Sequence, residues 1–274
     1  MEGWKPTQIL WAEQPLDTST GAVRVETDCG SAYAKLLGNP EGPHVLACEV
    51  VGTRAANWLG LPTAEFAVVN IDQAHLVEFK DGTHSQAGPA FCSRLHRGAT
   101  WGGTAEELEI VENSEAISGL VVLDTWLRNC DRYLPPRFNF RNVFFSEEGA
   151  KKGKVRLSAL DHTHCFTCGR PLTPKIANID TVRDRKIYGL FPEFQPFITS
   201  SDLRRYLVRF EELTLAAVQG WMADLPGAWE VNEVTRVALA EFLFRRARFL
   251  SERFEECLGE MGTWDVELRF EELS

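Results

Sequence analysis

The stretch "LDTWLRNCDRYLPPRFNFRNVFF", Leu123 to Phe145, decides how this chain is read. It opens on an apolar helical run and passes through Asn129-Cys130-Asp131-Arg132. It then turns on two prolines and enters the β-like run Val143-Phe144-Phe145, with Asn139 and Asn142 on the way in. A buried helix ending in this way exposes Asp131 at its end, beside the guanidinium of Arg132. The next β-like run, "KVRLSALD" over 154–161, finishes on Asp161. If the two runs form a hairpin, Asn142 at the start of the first strand and Asp161 after the second meet at one end of the sheet.

That meeting has the outline of a magnesium site. Mg2+ takes one or two carboxylates and completes its shell with amide, water and phosphate oxygens. Asp131, set apart from those ligands, is free to orient and deprotonate an attacking hydroxyl. Each residue alone has a plainer reading: Asp131 and Arg132 as a helix-end ion pair, the asparagines as turn residues, Asp161 as a hairpin cap. Their conjunction favours the site.

Towards the N-terminus, "TQILWAEQ", "AVRVETD" and "AYAKLL" read as short strands separated by the turn "DTSTG" and by Cys29-Gly30-Ser31. Alternation sets Ala32, Ala34 and Leu36 on one face, and Tyr33, Lys35 and Leu37 on the other. Lys35 on a mostly apolar strand is either an edge or snorkelling residue or a functional one. "HVLACEVVGTRAANWLG" has helical spacing and stops at Gly60, which puts Glu49 inside the helix. If Glu49 is buried it needs a partner, and Lys35 is the nearest cation before it; the alternative is a solvated helix glutamate. "AEFAVVNI" and "AHLVEF" read as a strand pair, and "SQAGPAFCSRL" as a loop by its Gly-Pro content, followed by another from Gly98 to Gly103. A hinge there divides the chain into an N-lobe, 1–87, and a C-lobe, 88–274. The C-lobe reads as mostly helical: an acidic helix, an apolar one from about Glu115 to Arg128, and two amphipathic helices with Ser201 and Asn232 as N-caps.

A chain of 274 residues, 44% hydrophobic and 25% charged, is large enough for a sizeable core in one domain or two lobes. The net charge of -10, with no long basic run, disfavours direct nucleic-acid binding. No apolar run approaches the roughly 20 residues of a membrane span and the N-terminus has no signal pattern, so a soluble, cytoplasmic protein with no membrane partner is expected. Seven scattered cysteines do not make a disulfide framework. Cys165 and Cys168, with His162 and His164, form a rival zinc or redox cluster, although four ligands within seven residues are cramped for one tetrahedral ion. Oxidation of that thiol pair is a separate way it would act on the neighbouring loop.

The order Lys35, Glu49, Asp131, Asn142, Asp161 matches the order of parts in a protein kinase: strand lysine, helix glutamate, catalytic aspartate, amide ligand, metal aspartate. The texts "DTWLRNCDR", "RNVFF" and "LSALDHTHCF" resemble the HipA-like kinase family, and "GPAFCSR" and "GLPTAEF" resemble segments of smaller bacterial HipA-like domains. The resemblance covers most of the chain and is specific from Asp124 to Phe166. It implies an α+β, bilobal, protein-kinase-like fold, with a small antiparallel N-lobe sheet plus one helix and a larger, mainly helical C-lobe. It also implies ATP and Mg2+ as cofactors and a serine or threonine of a protein as phosphoacceptor. On that reading Lys35, held by Glu49, contacts the α and β phosphates, Asn142 and Asp161 hold Mg2+, and Asp131 serves the acceptor hydroxyl. Arg132 steadies Asp131 or the phosphates, and the backbone around Ala87, Gly88 and Phe91, in the hinge to Ser93, holds adenine.

The chain departs from the kinase pattern in three places. Eleven residues separate Asp131 from Asn142, where H-R-D-x-x-x-x-N sets them about five apart; "YLPPRFNF" reads as an insertion, and Asn139 is the alternative ligand. Asp161 is followed by His-Thr-His instead of Phe-Gly. No G-x-G-x-x-G is present, which leaves Asp17 to Val23 as phosphate loop or plain hairpin turn. Two alternatives stay open: a pseudokinase acting as a binding module, and a kinase of the same fold acting on a small molecule or lipid headgroup. The acceptor is not identified by the sequence.

Overall fold

In the computed structural model, which describes residues 3–260, the edge strand β1 (Ile9–Pro15) joins β2 (Val23–Thr27) and β3 (Gly30–Leu37), along which buried apolar residues alternate, to build the start of an antiparallel sheet. Helix α1 (His44–Leu59) follows and stops at Gly60, whose left-handed backbone turns its N–H back onto Ala56 and Asn57. Strands β4 (Phe66–Ile71) and β5 (Gln86–Arg94) complete the sheet in the order β1-β2-β3-β5-β4. Ala32, Ala34 and Leu36 of β3 are buried in a small core under residues 76–79, as the alternation requires, while Lys35 faces the other way, beside Phe91 of β5.

Two expectations fail here. "SQAGPAFCSRL" is the sheet's inner strand β5, not a loop, and it is β5 that pairs with β4; 74–79 supplies only a short 3-10 turn and an isolated bridge, Glu78 to His84. Pro89, the apparent strand breaker, lies inside a break in the β3–β5 register, between Lys35↔Phe91 and Leu37↔Gln86, where a missing N–H removes nothing from the β3 ladder. The boundary expected between residues 87 and 88 therefore cuts through β5. The chain crosses between lobes after it, over 95–97. The outermost parts of the two expected lobes, residues 1–2 and 261–274, lie outside the described residues.

Beyond the crossing, β6 (Gly98–Thr100) pairs with β9 (Val143–Ser146), and β9 with β10 (Arg156–Ala159). Gly98 is required there, because a Cβ would lie 2.1 Å from the Phe145 carbonyl oxygen. Between β6 and β9 come the one-turn helix α2 (Ala105–Leu108), with a Thr104–Glu107 capping box, the apolar helix α3 (Glu115–Leu127), and a tiny hairpin of β7 (Tyr133–Leu134) and β8 (Arg137–Phe138). The lobe closes with α4 (Ile179–Val182), α5 (Ser200–Leu207), α6 (Leu215–Gly220) and the long α7 (Glu233–Gly259). Asn232 caps α7 as expected, but α5 is capped by Thr199 instead of Ser201, since Thr199 Oγ1 accepts from the Asp202 N–H. Among the described residues no helix is long and apolar enough to cross a membrane.

Helix α3 is buried from Ala116 to Leu127, which is why its sequence is mostly apolar, with Asp124 as its one buried charge. Trp126 packs against Trp58, Phe210 and Trp221 and donates its indole N–H to the Leu243 carbonyl at 2.9 Å. Arg246 of α7, with no exposed surface, donates to the carbonyls of Thr125, Val182 and Asp184 at 2.8–3.0 Å and so ties α7, α3 and the α4 end together. Substituting Arg246→Met leaves those carbonyls without donors. It should destabilise the protein by about 3 kcal/mol, read as a lower urea midpoint at unchanged m.

Candidate active site

Lys35 projects from β3 into a set of acceptors. Its Nζ lies 2.5 Å from Glu49 Oε1, 3.0 Å from Asp161 Oδ1 and 2.6 Å from Thr163 Oγ1. The Glu49 carboxylate is almost wholly buried and takes further donors: the His162 N–H at 3.2 Å to each oxygen and the Thr163 hydroxyl at 2.7 Å. Burial opposes the charge on Lys35, but Asp161 and Glu49 outweigh it and hold the ammonium above its ordinary range. Desolvation likewise works against Asp161, yet Lys35 beside it keeps the carboxyl well below the usual carboxylate range. Helix α1 approaches close enough for these contacts because Gly52 has no side chain; a Cβ there would sit 2.4 Å from that of His162.

The turn after α3 is built on a buried ion pair. Arg132 Nε meets Asp124 Oδ2 at 2.6 Å with neither side chain exposed, and Arg132 also donates to the Leu160 carbonyl at 3.0 Å. Asn129 completes the support, donating to Asp124 Oδ1 at 3.1 Å and accepting the Asp131 N–H at 3.3 Å. Arg132 thus faces inward, with Nε on Asp124 and Nη2 on the Leu160 carbonyl; of its two expected roles this buried geometry fits steadying the turn of Asp131 and not contact with a phosphate. Asp131 alone points outward, and its Oδ2 accepts from Asn142 at 2.7 Å and Asn139 at 3.4 Å. The eleven-residue gap is spanned because the insertion folds out as the β7–β8 hairpin and is tied at its base by Asn139 N–H to the Arg132 carbonyl, 2.9 Å.

A cavity of about 420 Å³ lies between the lobes, within the usual range of small-molecule sites. Lys35, Glu49, Phe91, Asn142 and Asp161 line it; Asn139 is not among its lining residues. Ala87 and Gly88 are not either. They sit at the far end of β5, where Gly88 pairs with Ile71, roughly 10 Å along the strand from Phe91. The wall that crosses between lobes is instead Ser93 to His96. Leu16 and Ala22, flanking the "DTSTG" turn, roof the cavity. That turn is closed on itself, with the Ala22 N–H on Thr18 Oγ1 and the Leu16 N–H on the Ala22 carbonyl.

The sequence reading missed Arg141, which lines the cavity beside Asn142, and Thr163, which bonds both Lys35 and Glu49. Their adjacency to Asn142 and Asp161 was the available signal. The residues of the zinc or redox rival turn to different partners: His162 is buried against Gly52, His164 faces Asp131, Cys165 is buried, and Cys168 meets Cys130 instead of Cys165. Among the described residues no group of three or more His, Cys, Asp or Glu side chains is arranged around a common metal position. The oxygens that fit a hard cation are those of Asn142 and Asp161. The Asn142 amide nitrogen is committed to Asp131, leaving its oxygen for a cation, and Asp161 uses Oδ1 on Lys35 and keeps Oδ2.

A family model described as HipA-like kinase matches residues 30–256. The fold is similar to that of the Helicobacter pylori proinflammatory kinase CtkA, with a TM-score of 0.58 at 14% identity over 91% of this chain and 96% of that one. It is also similar to a Golgi casein kinase with Mn and ADP bound, with a TM-score of 0.52 at 10% identity over 95% of this chain and 75% of that one. No curated protein sequence matches significantly. The architecture is a bilobal kinase fold with an antiparallel N-terminal sheet and a helical C-terminal lobe.

The buried pair under Asp131 yields a two-step expectation. Asp124→Ala leaves Arg132 charged and unpaired and should cost about 3–5 kcal/mol in chemical denaturation. Adding Arg132→Met should recover much of that loss, a coupling that a double-mutant cycle measures.

Proposed function

The chain belongs to the HipA-like kinase family, and from that membership we propose that it is an ATP- and Mg2+-dependent phosphotransferase that transfers the γ-phosphoryl group to a hydroxyl, with a protein serine or threonine as acceptor. The observation that carries this reading is the cavity in which Lys35, Glu49, Asp161 and Asn142 meet, with Asp131 hydrogen-bonded at its edge. The neighbour with Mn and ADP supports the use of a nucleotide and a divalent ion by this fold.

Lys35 is pinned by Glu49 at the height of the cavity where α and β phosphates would lie, and its raised proton affinity keeps it cationic at any working pH. Asn142 and Asp161 are the residues that would hold Mg2+, which when bound neutralises charge on the phosphate oxygens. Arg141 adds a second cation on the same wall. Asp131 keeps Oδ2 on its amide donors and offers Oδ1 to the acceptor hydroxyl, which it orients for in-line attack and relieves of its proton. Adenine would lie against Phe91 and read the backbone of Leu95 and His96, a shift along the chain from the Ala87–Gly88 position.

Calorimetric titration of ATP into the full chain, with and without Mg2+, tests the site. Magnesium-dependent binding is expected in the native protein and should be lost in Asp161→Ala. Asp131→Ala should keep ATP binding while lowering transfer by about 10²–10⁴-fold. Undiminished transfer by Asp131→Ala would remove that residue from the mechanism, and no binding under any condition would turn the reading to a pseudokinase scaffold.

A further inference from the structure

Asp131 has a third donor that the catalytic loop does not supply. His164 Nδ1 lies 3.3 Å from Asp131 Oδ2, and the opposite ring nitrogen, Nε2, lies 3.5 Å from Glu41 Oε1. Glu41 belongs to the loop between β3 and α1, in the N-lobe, whereas Asp131 belongs to the turn after α3 in the C-lobe. The ring has room there because Gly169 carries no side chain; a Cβ would come within 2.9 Å of His164 Cδ2. It stands where a DFG-type kinase has no such residue, on the His-Thr-His that follows Asp161.

An ionised carboxylate only accepts hydrogen bonds, so a ring set between two of them satisfies both only if both nitrogens carry protons. We propose that His164 is a positioning residue for the transfer reaction: as an imidazolium it bridges Glu41 of one lobe to Asp131 of the other and holds Asp131 Oδ2, so that Oδ1 faces the acceptor. Its catalytic role rests on the kinase reading above; the bridge itself does not. The electrostatics agree with the geometry. The hydrogen bond to Asp131 raises the His164 pKa above its ordinary value, against partial burial and with Glu41 and Asp161 adding to the rise, while His164 in turn depresses Asp131. The charged or titratable groups facing the ring are Asp131, Glu41, Asp161 and Cys168; the Cys168 thiol is lowered to about 7, chiefly by Cys130.

The sign follows from the raised pKa. The bridge is complete below the ordinary histidine pKa near 6.5 and is lost as pH rises through the higher folded value. Removing one carboxylate should move that loss to lower pH.

Two measurements on the full chain decide the matter. NMR titration of the His164 ring, assigned with His164→Gln, should show both nitrogens protonated at mildly acidic pH and a lower pKa in Glu41→Gln than in the native protein. Identical titration curves would overturn the bridge. Steady-state ATP turnover, with casein as the acceptor probe, should fall by about tenfold or more in kcat for His164→Ala, with KM for ATP within about twofold. In Glu41→Gln the alkaline limb of the kcat profile should move to lower pH. Native kcat in His164→Ala, or an unmoved limb in Glu41→Gln, would overturn the positioning role. A native protein that turns over no ATP would instead sink the kinase reading, with the ring titration still deciding the bridge.

Discussion

Lys35 is the point on which both lobes close. An ammonium and a carboxylate brought out of water are stable only when each finds its partners, and here both do, with the partly exposed Asp161 as a third member. Lys35 reaches Glu49, Asp161 and Thr163, and Glu49 takes up the His162 N–H as well. Because the lysine comes from β3, the glutamate from α1 and the rest from the segment after β10, the cluster cannot be satisfied unless sheet, helix and C-lobe hairpin are in register. Electrostatic necessity thereby sets the width of the cleft. Gly52 is the steric counterpart, since any side chain there would push α1 off His162 and open the cluster.

The second fixed point lies under the turn that carries Asp131, and it sends neighbouring residues in opposite directions. Arg132 and Asp124 are sealed in the C-lobe, while Asp131, one residue from Arg132, is half-buried and faces the cleft. A buried pair of that kind contributes little net stability over apolar residues of equal size but penalises every alternative arrangement of the turn. That rigidity fixes the direction in which Asp131 presents its carboxylate. The β7–β8 hairpin is accommodated because it leaves and re-enters the loop at one place, so its length does not alter where Asn142 arrives.

The two fixed points meet at the segment after Asp161. Asp161 turns its carboxylate to Lys35, His162 is buried against α1, Thr163 bonds to Lys35 and Glu49, and His164 reaches Asp131 and Glu41. Four consecutive C-lobe residues thus contact the N-lobe, and the last of them, His164, also reaches Asp131. The contacts between this segment, the N-lobe and Asp131 are hydrogen bonds and charge pairs, with His-Thr and not Phe-Gly at the two positions after Asp161.

By itself, the sequence determined the order and chemistry of the parts. Alternation placed Lys35 opposite the Ala32–Ala34–Leu36 core face, helical spacing and Gly60 bounded α1 with Glu49 inside it, and the paired β-runs delivered Asn142 and Asp161 to one end of a hairpin. These are local properties, carried by neighbours in the chain. Tertiary structure decided what depended on distant partners. Pro89 sits in an inner strand only because the β3–β5 register breaks beside it, and Gly-Pro content alone describes a loop. Arg132 became framework because Asp124, eight residues earlier on a buried helix face, claimed its fork. Asn142 and not Asn139 faces the cavity because the hairpin returns the chain at that point, and His164 acquired two carboxylates from opposite lobes that no spacing along the chain foretells.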